Sequence, residues 1–141
     1  MVFEWSKEIE TGNRVIDREH AQLLRHLNAF LAACRKGDAR DDIISTLQFL
    51  KQYTVSHFAH EEELQRQSGY PDYVRHKRLH SDFVQTVLDI EQKFLKEGCT
   101  IRLVCEINLE IGNWVMAHIK NEDKKIGQHI AKQEALRKQG L

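Results

Sequence analysis

The sequence predicts an all-α protein: an antiparallel up-down-up-down four-helix bundle with an N-terminal arm. Its 141 residues include 1 proline and 7 glycines, too few turn-forming residues for a many-stranded sandwich or barrel. Four segments repeat their apolar residues at alternating steps of three and four, the spacing of a helix that faces a core. The connections between these segments are short, so consecutive helices should be antiparallel neighbours.

The first helix is predicted over residues about 16–36, where a lysine followed by Gly37 is typical of a helix C-terminus. The preceding segment, residues about 1–15, is interpreted as an arm. Phe3 and Trp5 supply apolar side chains to this arm. We therefore expect the arm to fold back on the bundle as a cap.

The second helix is predicted over residues about 41–67, and its first turn contains two aspartates, which suit a helix N-terminus. Pro71, the only proline, separates it from the third helix, about 73–96. The fourth helix is predicted over about 101–127. The remaining residues, 128–141, form a polar C-terminal extension.

Composition excludes several classes of function. The length favours a single domain, 1–141, and 21 basic residues balance 21 acidic residues, so no general attraction to nucleic acid follows. No apolar run approaches the ~20 residues that membrane insertion requires. Three cysteines without a CxxC motif are expected to be free thiols. We expect a cytoplasmic monomer.

On each predicted helix the repeated apolar residues form a stripe that faces the core, and residues of metal-ligating types interrupt this stripe. In an up-down-up-down bundle all of them fall at the same end. Burying so many imidazoles and a carboxylate without partners would cost several kcal/mol each, whereas one metal centre would satisfy them together. The six residues are His20 on the first helix, His57 and Glu61 on the second, His76 and His80 on the third, and His118 on the fourth.

A lone histidine on an apolar stripe is more often a hydrogen-bonded core residue than a ligand. Five histidines and a glutamate at one level of a bundle favour metal binding instead. Other residues of the same types lie off the stripes. Among these, His26, His60 and His129 are predicted to lie on the surface, and Glu62 and Glu63 to be solvated.

The order and spacing of these residues resemble the hemerythrin family, in particular the bacterial single-domain members. The resemblance extends from Trp5 to about Ile126. It rests on four motifs: Ile16-Asp17-x-x-His20, His57-Phe58-x-x-Glu61-Glu62, His76-x3-His80 and His118-Ile119-x3-Asp123.

The resemblance implies a non-heme centre of two iron ions (Fe2+/Fe3+) with an oxo or hydroxo bridge. Counting ligands leaves one open position, on the iron with fewer histidines. The implied function is reversible O2 binding, with no catalytic residue and an unknown O2-consuming recipient protein. In the implied ligand set, His76, His80 and His118 hold one iron, His20 and His57 hold the other, and Glu61 and Asp123 bridge both.

Helical spacing alone does not select Asp123. It lies five residues after His118, about 140° around a regular helix, whereas Glu122 at i+4 is only about 40° away. Spacing therefore favours Glu122, and the resemblance favours Asp123. A π-bulge between His118 and Asp123 would reconcile the two.

The resemblance also implies an apolar O2 pocket, although the same side chains would serve as ordinary core in any bundle. Its residues are Leu23, Phe58, Trp114, Val115 and Ile119. Two alternatives stay open: a di-iron enzyme acting on peroxide, nitric oxide or O2, and a sensor of these molecules. A zinc or manganese bundle is disfavoured by the dinuclear ligand set.

Overall fold

In the computed structural model, which describes residues 2–140, four antiparallel helices form the predicted bundle, and the all-α assignment is confirmed. Met1 and Leu141, the outer ends of the predicted arm and extension, lie outside the described residues. None of the helices within 2–140 is both long and apolar enough to cross a membrane. The helices are α1 (Arg14–Lys36), α2 (Arg40–Ser68), α3 (Tyr73–Glu97) and α4 (residues 101–138).

Side-chain and glycine caps define the helix ends. The Asn13 side chain accepts hydrogen bonds from the backbone N–H groups of Val15 and Ile16, so α1 begins two residues before the predicted start. Gly37 ends α1 in the left-handed conformation, with φ 67°, which only glycine adopts without steric cost. Gly69 ends α2 in the same way, with φ 65°.

The fourth helix departs from a regular α-helix. It contains two π-helical segments, Ile107–Gly112 and Ile119–Asp123, separated by a single α-helical stretch. It also continues to Lys138, beyond the predicted end at residue 127, so most of the predicted polar extension is helical. Each π turn adds a residue and rotates the helix face that follows it.

The N-terminal arm folds back on the bundle, as expected, and lies along its side. The backbone N–H of Phe3 donates to Asn28 Oδ1 (3.0 Å), and Asn28 Nδ2 donates back to the Phe3 carbonyl (2.8 Å). The Phe3 ring is buried against Gly112 on α4, where a Cβ atom would overlap it. The arm therefore spans the groove between α1 and α4.

A second contact fixes the arm where α1 begins. Asp17 Oδ1 accepts hydrogen bonds from the backbone N–H and the hydroxyl of Thr11, both at 2.8 Å. The Thr11 carbonyl rests directly on Gly127 of α4, which has no side chain to obstruct it. Lys124 Nζ donates to the carbonyl of Glu8 beside this contact (2.7 Å).

The buried apolar residues form two separate clusters. The larger one fills the bundle from Leu23 toward the end where α1 and α3 terminate. The smaller one, Ile16, Tyr70 and Ile126, lies at the opposite end. The layer between them is made of buried polar side chains, and this layer contains the predicted metal ligands.

We predict that Gly127→Ala destabilises the protein by about 1–3 kcal/mol, the usual cost of forcing an extra group into a packed contact. The new methyl group would overlap the Thr11 carbonyl, a backbone atom that moves only if the arm is displaced. Urea unfolding followed by circular dichroism measures the change.

Removing residues 1–12 provides the control for this prediction. In the truncated chain the same substitution should stabilise α4 by up to about 1 kcal/mol, because alanine exceeds glycine in helix propensity. Equal effects in the full-length and truncated chains would contradict the proposed contact.

Candidate metal centre

The six ligand-type residues found on the stripes meet Asp123 in one buried cluster at a single level of the bundle. All seven side chains lie at 6% exposure or less. Their donor atoms form two groups, each with all atoms within 4.8 Å of one another. One group contains Glu61, His76, His80, His118 and Asp123; the other contains His20, His57, Glu61 and Asp123. The two carboxylates are common to both groups.

The π-helical turn in α4 brings Asp123 into the cluster. Ile119–Asp123 is π-helical, so His118 and Asp123 face the same side, with His118 Nε2 and Asp123 Oδ1 3.0 Å apart. Glu122, which regular spacing favours, lies outside both donor groups. Its carboxylate instead accepts two hydrogen bonds from Arg75, at 2.8 and 2.9 Å. These bonds lower the pKa of Glu122.

Two further carboxylates orient ligand-type histidines from the outside. Glu19 Oε1 lies 2.8 Å from His57 Nδ1, and Glu62 Oε2 lies 2.8 Å from His80 Nδ1. Burial raises the pKa of Glu19, but the bonds to His57 and His60 outweigh it and lower the pKa overall. An ionised carboxylate only accepts hydrogen bonds, so Nδ1 of each of these imidazoles carries the proton.

Neither carboxylate was predicted for this role, and the expectation that Glu62 is solvated is wrong. Its side chain is 18% exposed because it reaches across to His80 on α3. Each residue is the immediate sequence neighbour of a ligand-type residue, Glu19 of His20 and Glu62 of Glu61. A neighbour on a helix points about 100° away, toward the adjoining helix. That adjacency is the sequence signal that could have revealed both residues.

Protonation of Nδ1 leaves the other ring nitrogen as a lone pair directed into the cluster. Nε2 of His80 then faces Glu61 Oε1 at 3.1 Å and His118 Nε2 at 3.2 Å. His76 Nε2 lies 3.0 Å from the same carboxylate oxygen. Atoms that all present electron pairs repel one another unless protons or cations lie between them.

Protons occupy this role in the metal-free protein. Burial lowers the pKa of His57, but hydrogen bonds to Glu19 and Glu61 outweigh it and raise the pKa to about 10. The same balance, with Asp123 and Glu61 as partners, raises the pKa of His76 to about 9. Burial raises the pKa of Glu61, yet hydrogen bonds from four histidines hold it well below its usual range.

Most of the unpartnered atoms of the cluster lie in the smaller donor group. In the described part of the chain, both ring nitrogens of His20, together with His57 Nε2 and Glu61 Oε2, are buried without an aligned hydrogen-bond partner. In the larger group the same is true of His76 Nδ1 and of Asp123 Oδ1, which faces His76 and His118. The distances from His20 Nε2 to the two carboxylates, 2.9 and 3.5 Å, are close to the roughly 3 Å between adjacent ligands of a metal with ~2.1 Å bonds. The residues therefore fit a cation in this position.

Aromatic rings cover the larger donor group. The Phe58 ring stacks on His80 with 3.7 Å between centroids and an angle of 1°. Trp114 stacks on His118 at 4.4 Å and on Phe83 at 4.0 Å. Of the residues predicted for an O2 pocket, Leu23, Phe58, Val115 and Ile119 belong to the main apolar cluster, and the half-buried Trp114 packs against it.

The three histidines expected on the surface differ in exposure. The His60 side chain is 42% exposed but binds Glu19 Oε2 through Nδ1 at 2.7 Å. His26 is half-buried beside Tyr53. His129 is also half-buried, with Nε2 2.7 Å from the carbonyl of Ser68. The surface prediction is therefore correct for His60 alone.

Comparison with known proteins supports the metal site. A family profile described as the hemerythrin HHE cation binding domain matches residues 11–130. A bacteriohemerythrin of Stenotrophomonas maltophilia is 29% identical over 126 residues, covering 89% of this chain and 80% of that protein. A bacteriohemerythrin of Pseudomonas paraeruginosa is 30% identical over 119 residues, 84% of this chain and 75% of its own length.

An animal protein is similar as well. The myohemerythrin of Theromyzon tessulatum is 28% identical over 125 residues, covering 87% of this chain and 89% of its own. The predicted resemblance is confirmed. A profile match over 11–130, together with a buried cluster of imidazoles and carboxylates, shows that the chain belongs to the hemerythrin family.

Proposed function

We propose that this chain binds O2 reversibly at a pair of iron ions and so carries, stores or delivers it. The observation that supports this most directly is the unequal division of the cluster into five-residue and four-residue groups that share Glu61 and Asp123. The larger group would hold one iron ion and the smaller group the other. The smaller group offers one protein ligand fewer, so O2 would bind on the side of His20 and His57.

A pair of ferrous ions held there would supply the two electrons that reversible O2 binding requires. The protein would hold the ions through imidazole rings whose outer nitrogen, Nδ1, is fixed by a hydrogen bond. Glu19 sets the orientation of His57, and Glu62 sets that of His80. Fixing the outer Nδ1–H keeps each Nε2 lone pair directed at a metal, as outer carboxylates do for metal-bound histidines in general.

The side chains around the cluster favour the binding of O2 over its chemical conversion. The side chains of Leu23, Val115 and Ile119 are each no more than 3% exposed, and apolar walls of this kind exclude water from a reactive site. Glu19 and Glu62 contact the outer faces of the imidazoles and not the centre of the cluster. These two carboxylates are therefore placed to orient the imidazoles and not to exchange a proton with a molecule bound at the centre of the cluster.

The cellular setting belongs to the same proposal. Cys34, Cys99 and Cys105 are free thiols in the described chain, as is usual in the reducing cytoplasm. We therefore assign the protein to the cytoplasm as a single-domain monomer that supplies O2 to an unidentified O2-consuming protein.

A cycle of aeration and deoxygenation tests the function. A carrier should show charge-transfer absorption that appears in air and disappears under argon over repeated cycles, without net O2 consumption. Steady consumption of O2 or peroxide would instead indicate a di-iron enzyme.

We predict two irons per chain after anaerobic reconstitution, measured by atomic emission against protein concentration. Removing them should lower the melting temperature, because the clustered donors then depend on protons alone. One zinc per chain, or equal stability of loaded and metal-free protein, would contradict the assigned centre.

We predict that Asp123→Ala loses the dinuclear centre, whereas Glu122→Ala retains its absorption spectrum. Asp123 belongs to both donor groups, and Glu122 is engaged by Arg75. The two substitutions are adjacent and remove the same charge, so each serves as the control for the other. The reverse result would show that the ligand is one residue away from the position proposed.

We predict that Trp114→Ala retains two irons but loses its O2-binding capacity in air at least about tenfold faster, which corresponds to ~1.4 kcal/mol of barrier. The substitution removes the ring stacked on His118 and admits water to the site. Absorbance followed in air at equal iron content measures the decay.

Trp5→Ala is the matched control, since this half-buried tryptophan packs on the same apolar cluster. It should leave the decay rate unchanged. Equal decay in the wild type and in Trp114→Ala would assign Trp114 to packing alone and leave protection to Phe58, Leu23 or Ile119.

A further inference from the structure

Two adjacent carboxylates on α4 are candidates for one place in the metal cluster. On a regular α-helix Glu122 would face the cluster, because it lies four residues after His118 and about 40° around the axis. Asp123, five residues after His118, would point about 140° away. In the structure the order is reversed: Asp123 is 1% exposed among the ligand-type histidines, and Glu122 belongs to neither donor group.

The π turn that causes this reversal is not fixed by its own backbone. The N–H of Lys124 donates to the carbonyl of Ile119, five residues back. The residues that flank the turn, His118 and Lys124, have ordinary helical φ values of −64° and −55°, and no side chain caps the turn. Since π-helix is rare and α-helix is the common alternative, contacts outside the turn must favour it.

Packing beyond the turn requires an added residue but does not fix its place. Ile126 is fully buried and follows His118 by eight residues, about 80° around a regular helix. One added residue between them reduces this angle to about 20° and brings both to the core face. An added residue either before or after Asp123 meets this requirement, and only the first brings Asp123 into the cluster.

A side chain on α3 holds Glu122 outside the cluster. The two terminal nitrogens of Arg75 donate to the two carboxylate oxygens of Glu122, at 2.8 and 2.9 Å. Asp72, immediately before α3, accepts from the same guanidinium at 2.8 Å and so fixes its direction. The Glu122 side chain is only 15% exposed. Without Arg75 this carboxylate would lose its partners in a place that water reaches poorly.

We infer that Arg75 is a positioning residue that determines which of the two carboxylates enters the metal cluster. By pairing with Glu122 on the outside, it favours the π turn before Asp123 over one after it. A glutamate is one methylene group longer than an aspartate, so a released Glu122 reaches the place that Asp123 occupies. The effect on metal binding rests on the proposed function, whereas the effect on the π turn does not.

The first test uses metal-free protein. In Arg75→Gln the backbone Cα chemical shifts of residues 119–125 should move or double, because the π turn is no longer confined to one place. Adding Glu122→Ala should restore the wild-type shifts, since it removes the competing carboxylate. Arg78→Gln is the matched control. It removes the same charge from an exposed position on the same helix, and it should leave the shifts unchanged.

The second test measures iron per chain after anaerobic reconstitution. Asp123→Ala combined with Arg75→Gln should recover iron that Asp123→Ala alone loses, because the released Glu122 supplies a carboxylate. Adding Glu122→Ala to this pair should remove the iron again. With Asp123 intact, Arg75→Gln should hold iron on the order of tenfold more weakly against a chelator, as is usual when a residue that orients a ligand is lost. Glu122→Ala should suppress that weakening.

Three outcomes would overturn the inference. One is unchanged chemical shifts in Arg75→Gln, and another is failure of the double variant to recover iron although the wild type binds two ions. The third is an effect of Arg75→Gln that persists in the Glu122→Ala background, since Arg75 would then act through Asp72. A wild type that binds fewer than two irons would contradict the proposed function instead, and the chemical shifts would still decide the role of Arg75.

Discussion

The structure depends on one electrostatic constraint: lone pairs of imidazoles and carboxylates face one another in a buried layer of the bundle. Glu19 and Glu62 accept hydrogen bonds from the outer N–H groups of His57 and His80, so the inner nitrogens face Glu61 and each other as acceptors. Such a layer is stable only when positive charge lies inside it. Protons provide that charge in the metal-free protein, as the raised pKa of His57 shows, and metal ions must displace them.

The irregular features of the fold serve this layer. The π turn at Ile119–Asp123 places His118 and Asp123 on one face, which a regular helix would not do. The arm packs against the same helix at two glycines. The Phe3 ring lies on Gly112, and the Thr11 carbonyl lies on Gly127. Tethering on both sides of the π turn restricts the position of α4 relative to α1, and hence of Asp123 relative to His20.

Much of this arrangement could be predicted from the sequence. The stripes place His20, His57, Glu61, His76, His80 and His118 at one level because helical periodicity and chain direction are both local properties. Asp123 could be predicted as a ligand only from the family resemblance, because its contact with His118 depends on a π-helical turn that residue spacing does not reveal. Glu62 was misassigned because its partner lies on another helix, and a pattern within one helix carries no information about partners across the bundle. The arm folds back on the bundle as predicted, but the sequence pattern does not show which helices it lies against, because its contacts are to glycines far away in sequence.

The division of the apolar core has a consequence for the kinetics of iron exchange. Ile16, Tyr70 and Ile126 form a small cluster that is joined to the rest of the core only through the polar layer. Such a cluster buries little surface of its own, so its opening free energy should lie well below that of global unfolding. Fraying of this end exposes the centre while the larger cluster stays folded. A metal ion would then enter and leave through a local opening of this end of the bundle, without unfolding of the larger cluster.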